Sequence, residues 1–194
     1  NPRQMRRIVR QGLWIATLLG SVSILALWPA EQIFLLLGQT RDLAAVSQEY
    51  VRAAVWGIIP GLCVICLRGY ISVMERPGLI LIVMLSGFVV NALADYALIF
   101  GVWGFPKLEV MGVGLATAIT NLVMCAVIMT IAMKAGRMRR YHVLGRLWRS
   151  DWGTFRDIFR VGVSISMMIM MEHSLFASAT FMMGNLGTAE VAAH

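Results

Sequence analysis

Asn91 and Asp95 place an amide and a carboxyl inside the apolar run Leu79 to Trp103, LILIVMLSGFVVNALADYALIFGVW. A spacing of four puts them one helical turn apart on one face, where both can converge on a single small object. An ionised carboxylate facing lipid is costly, so intramembrane acids line a bundle interior or a cavity and often mark an ion or proton path. A plain hydrogen bond between helices is the alternative role for Asp95. A second acid, Glu172, lies beside His173 near the middle of the run Val161 to Met183, and is likewise expected to face protein or a cavity. Around it stand Met167, Met168, Met170, Met171, Met182 and Met183. Methionine is flexible and polarizable and repacks around apolar ligands of different shapes, so Met168 and Met171 are candidates to border a substrate path, with ordinary packing as the alternative.

A buried carboxylate can hold a proton, a metal cation or an organic cation. Binding one lowers affinity for the others, which couples opposed fluxes without covalent chemistry. No nucleophile and base recur at a recognisable spacing, so an enzyme is not expected, nor is a resident cofactor. Cys63 and Cys66 form a CxxC, but without a second CxxC or a nearby His, and with Cys125 they read as small core residues of apolar helices.

These groups need a membrane scaffold. Of 194 residues, 59% are hydrophobic and 14% charged, and the mean hydropathy is +0.75, which places the chain among integral membrane proteins. The net charge of +7 lies between apolar segments, where it reports orientation rather than nucleic-acid binding. The chain starts in the basic run NPRQMRRIVR and ends in TAEVAAH, as the interior of a longer protein would.

The expected fold class is all-α, with five spans. The first runs from Ile8 to Leu37 and bends at Pro29; a polar connector, GQTRDLAAVSQEY, leads to the second, Val51 to Met74, kinked at Pro60 between Gly57 and Gly61. Arg68 and Arg76 fit a short loop closing it. The Asn91/Asp95 span follows and ends in a Gly/Pro/aromatic turn, with Trp103 and Phe105 suited to the interface. The fourth, Val110 to Met133, carries Thr117, Thr120 and Asn121, whose ordinary role is hydrogen bonding between packed helices. From Lys134 to Arg160 comes a basic loop plus an amphipathic piece, with Trp148, Trp152, Phe155 and Phe159 at spacings of three and four, expected to lie along the interface and to be capped by Ser150 or Asp151. The fifth is Val161 to Met183, and TAEVAAH reads as the start of a sixth.

Five crossings put all but Arg41, Arg52 and Lys107 of the 17 lysines and arginines on one side. By the positive-inside rule that side, which holds the start of the chain, is cytoplasmic.

The segments LRGYISVMERPG, NALADYALIFGVWGFPKLEVMGVGLATAITN and MEHSLFASATFMMGNLGTAEVAAH, in this order, resemble the multidrug and toxic compound extrusion (MATE) family, of the NorM-like bacterial type. Members have twelve transmembrane helices in two six-helix lobes, and this chain looks like helices three to seven plus the start of eight. The resemblance implies that residues 1–136 are the last four helices of the N-terminal lobe. It implies a cytoplasmic interlobe loop with an amphipathic segment at 137–160, and at 161–194 the first helix of the C-terminal lobe with the start of the next. It further implies that Asn91, Asp95 and Thr117 belong to a cation site, that Glu172 takes part in coupling, and that the protein is a monomer in the bacterial inner membrane. Its partners would then be the lipid bilayer and small organic cations, exported against protons or sodium; oxygens from Asn91 and Thr117 beside Asp95 would suit sodium. Family members often carry a Pro in a turn where this chain reads Gly162, Val163, Ser164, so no bend is expected there, and the acid usually supplied by the family's first helix lies outside this sequence. A lipid-linked oligosaccharide flippase of the same superfamily is the alternative, disfavoured because the mid-span ionisable residues are acidic. A non-transporting membrane scaffold, in which Asp95 and Glu172 are replaceable, is another.

Overall fold

Pro29 and Pro60 set the breaks of the first half of the chain. Proline removes a backbone donor and crowds the carbonyl four residues back. The first helix, α1 (Pro2–Leu27), stops just ahead of Pro29, and α2 (Ala30–Leu36) resumes beyond it. Gln48 closes this break: its Oε1 accepts from the Glu31 N–H at 2.7 Å and its Nε2 donates to the Trp28 carbonyl at 3.1 Å. A single buried amide thus satisfies groups that the interrupted helix leaves open. Near Pro60, α3 (Arg41–Ala54) passes through a 3₁₀ turn at Val55–Gly57 into α4 (Ile58–Val73). The turn contains Trp56, the residue four before Pro60, to which proline can donate no helical hydrogen bond.

The structure is a computed structural model that describes residues 2–36, 38, 40–102, 107–134 and 152–186, with side chains over 4–36, 38, 40–102, 107–134 and 152–175. The remaining helices are α5 (Pro77–Phe100), α6 (Glu109–Lys134) and α7 (Trp152–Leu186), and the described residues contain no strand. Five stretches are long and apolar enough to cross a membrane: Gln4–Leu27, Arg41–Val73, Pro77–Phe100, Glu109–Lys134 and Trp152–Leu175. The chain is an all-α, multi-pass membrane protein.

Two expectations change. The polar connector is helical: α3 covers most of it and buries Ala44 and Gln48, one turn apart, with Ala53 buried near its end. Charged and amide residues along α3, from Arg41 and Asp42 to Glu49 and Arg52, make the stretch polar on average, which is why it reads as a connector. Arg68 belongs to α4 rather than to the loop, and only Met74, Glu75 and Arg76 separate α4 from α5, which opens on Pro77 as its first residue.

The chain divides into two compact units, Asn1–Ser150 and Asp151–His194. In the first, α4 is central: Leu67 and Ile71 are fully buried among Val9 and Leu13 of α1, Val83 of α5 and Ile128 of α6. Outward faces are apolar, with Leu25 75% and Phe88 73% exposed, the arrangement a bilayer rather than water would accept. The second unit holds α7, a helix unbroken through Gly162, as the missing Pro implied. Its first turns carry the aromatic stripe, Trp152 edge-on to Phe155 and Phe155 stacked on Phe159. The amphipathic piece is therefore continuous with the fifth span rather than a separate interfacial element, since no Pro or Gly pair interrupts the helical hydrogen bonding. Trp103, Phe105, Trp148, the capping pair Ser150 and Asp151 and the start of a sixth helix lie outside the described residues, as do the side chains of Met182 and Met183.

Candidate functional site

The pair Asn91 and Asp95 sits on α5, along one edge of the stripe that Val83, Gly87 and Leu98 bury. Both residues are half-buried, while Phe88 and Ala92 just beyond that edge are exposed. Asp95 Oδ1 is itself buried and has no hydrogen-bond partner among the described residues. Placing a carboxyl oxygen there without a donor is costly, so the position calls for a proton or a cation.

What α5 leans on is α6, and close contacts set their register. A Cβ on Gly87 would strike the Met124 side chain, and one on Gly112 would come within 2.9 Å of the Leu98 carbonyl oxygen. The two helices therefore run antiparallel, with α5 ending on Gly101 in the left-handed conformation (φ 67°) that glycine accepts without strain. Counting inward from those contacts brings Thr120 to the level of Asn91, and Thr117 to within about two residues of the level of Asp95.

The helical period of α6 then sorts its polar residues. Thr120 lies on the row Gly112, Ala116, Thr120, Met124 turned toward α5, and Gly114, Ala118 and Asn121 turn toward α3 and the 3₁₀ turn. Thr117 stands between the two rows. Its Oγ1 donates to the Val113 carbonyl at 3.0 Å, a bond to the preceding turn that leaves its oxygen lone pairs as acceptors. Asn121 Nδ2 donates to the Gly57 carbonyl at 3.2 Å, the hydrogen bond between packed helices that its type and place suggested. Thr120 is buried, and its Oγ1 has no hydrogen-bond partner among the described residues. From its sequence pattern Thr120 is expected only to pack between helices, like Asn121, and not to belong to the site. The legible signal was the small-residue row at spacing of four that ends on it.

Glu172, Met168 and Met171 belong to the second unit, where α7 exposes all three, Met168 and Met171 to 69% each. Met168 lies one helical turn before Glu172 and Met171 immediately before it, so the three fall on one side of α7 and could meet one ligand from the same helix. Among the described residues no three His, Cys, Asp or Glu side chains gather as a metal-binding group, which leaves the α5/α6 seam an oxygen site with a single carboxylate. Such a site fits a proton or a monovalent hard cation better than a transition metal.

The family model named MatE matches residues 1–97. Curated relatives named "Probable multidrug resistance protein NorM" match almost all of the chain. The one from Rhizobium meliloti (strain 1021) is 40% identical over 190 residues, 98% of this chain and 41% of the relative. The one from Brucella suis biovar 1 (strain 1330) is 38% identical over 192 residues, 99% of this chain and 41% of the relative. The one from Synechococcus sp. (strain ATCC 27144 / PCC 6301 / SAUG 1402/1) is 36% identical over 187 residues, 96% of this chain and 40% of the relative. The chain thus spans less than half the length of these relatives.

Proposed function

Because the chain belongs to the MatE family, we propose that it is part of a secondary antiporter that exports organic cations in exchange for protons or sodium by alternating access. The observation that carries this reading is Asp95, whose buried Oδ1 has no hydrogen-bond partner among the described residues, one turn from Asn91 on a helix long and apolar enough to span a membrane. Asp95 takes the coupling ion, Asn91 and Thr117 lend oxygens to it, and an organic cation competes for the same charge. Glu172 acts in coupling or in holding the drug, with Met168 and Met171 bordering its path.

In this reading residues 1–136 close the N-terminal lobe, 137–160 link the lobes on the cytoplasmic side, with α7 already emerging at Trp152, and 161–194 open the C-terminal lobe. The protein works as a monomer in the bacterial inner membrane, the start of this chain on the cytoplasmic side, as the uneven spread of lysine and arginine supports. Expressed in the full-length protein, Asp95→Asn keeps size and most hydrogen bonding but removes titration. It should accumulate normally and lose drug extrusion from cells, whereas Asp95→Glu should keep part of it; undiminished extrusion by Asp95→Asn contradicts the proposal. Met168→Leu with Met171→Leu should narrow the set of dyes exported while sparing ion-driven export of the best one, and an unchanged dye profile would make the methionines packing alone.

A further inference from the structure

The core around α4 holds three thiols that this mechanism does not use. Cys63 and Cys66 lie on α4 and Cys125 on α6, and all three are free. Cys63 is buried and Cys125 half-buried in one core cluster, where the two thiols interact across the α4/α6 contact. The helix register agrees with this pairing: Gly57 meets Ala118, Gly61 meets Asn121, and Leu67 and Ile128 are buried in the same core one turn further on. A Cβ on Gly57 would come within 2.8 Å of the Ala118 Cα, so the two backbones approach closely just before the thiol pair. Cys66 turns elsewhere, its Sγ donating to the Val9 carbonyl of α1 at 3.9 Å.

Charge decides what such a pair can take up in an apolar core. A monovalent soft metal bound by two thiolates leaves a net negative charge, which this setting penalises, and no third ligand completes a cluster among the described residues. A disulfide is neutral and replaces two weakly bonded S–H groups. We propose that Cys63 and Cys125 form a reversible disulfide site, closed by a small hydroperoxide, that straps α4 to α6. The chemistry takes two steps. The sulfur of Cys125 attacks a peroxide oxygen; the O–O bond breaks, a sulfenic acid forms and hydrogen peroxide gives up one water. Cys63 then attacks the sulfenic sulfur, forming S–S as S–O breaks, and the leaving hydroxide takes the thiol proton as a second water. Both sulfurs are oxidised, the peroxide is reduced to two waters, and the shared core position of the two thiols at one level of α4 and α6 means that neither helix has to shift far. The proposal is independent of the transported substrate and of Asp95.

The test uses the full-length protein in native membranes. These are treated with hydrogen peroxide, unfolded in excess N-ethylmaleimide, digested, and read by mass spectrometry without reductant. A cross-linked peptide pair joining Cys63 to Cys125 is expected, lost on dithiothreitol treatment, retained in Cys66→Ala and absent in Cys125→Ser. The oxidised protein in detergent should melt at a higher temperature than the same sample after dithiothreitol. Full alkylation of Cys63 and Cys125 after peroxide, a bridge from Cys66 instead, sulfinic acid without a bridge, or a melting temperature that ignores the redox state would each overturn the assignment. The wild-type measurements stand even if a cysteine variant fails to accumulate.

Discussion

On one side of α6, Asn121 reaches the Gly57 carbonyl and its hydrogen bond is made; on the other, Thr120 Oγ1 of α6 and Asp95 Oδ1 of α5 are buried with none among the described residues. The two seams share a helix, a depth and a set of small residues, yet one is closed and the other open. A closed polar contact between membrane helices fixes register at little net gain, about 0.6 kcal/mol. An open carboxyl oxygen costs free energy that the fold alone does not return, and a proton or cation is what would return it. Polar residues on one helix can therefore be sorted by whether their partners are already present.

The difference can be broken from either side. The largest effect belongs to the closed seam: Gly57→Val forces a side chain against the Ala118 Cα, where backbone and not a flexible tip must yield. A loss of about 1–3 kcal/mol is expected, read as a lower melting temperature and poor accumulation of the full-length protein; unchanged accumulation would mean that α4 and α6 separate freely. On the open seam, Thr120→Val keeps shape and removes the orphan hydroxyl. If Thr120 helps hold the ion, affinity for the coupling ion should fall about fivefold, close to the 1 kcal/mol of one hydrogen-bonding contact, with stability no worse. Unchanged affinity with higher stability would assign Thr120 to packing. The smallest effect is expected of Asn121→Ala, about 0.6 kcal/mol of stability with ion coupling intact; a loss of coupling there would erase the distinction between the seams.

Much of the framework was legible because bilayer thickness imposes a length on each apolar run and proline imposes a break. Pro29 and Pro60 marked both interruptions of the first unit, and Asn91 and Asp95 stood out because polar groups are rare in such runs. The helix α3 was hidden for the opposite reason: Arg41, Asp42, Gln48, Glu49 and Arg52 make its sequence polar on average, and Gln48 is buried because it serves the break at Pro29, a partner 17 to 20 residues away. Thr120 was visible as a residue but not as an orphan, since the lack of a partner depends on the antiparallel register of α5 and α6. The pairing of Cys63 with Cys125 was equally beyond reach, because the CxxC spacing drew attention to Cys66, which faces α1 instead.

Purified full-length protein carrying Asp95→Asn, reconstituted in proteoliposomes under an imposed proton or sodium gradient, tests the central claim most directly. An open seam that works as the coupling site predicts that the variant melts like the parent but fails to drive uphill substrate exchange, and that its substrate affinity no longer shifts with the ion. Uphill exchange at the parent rate would show that the unpartnered carboxyl of Asp95 is not where the ion is held.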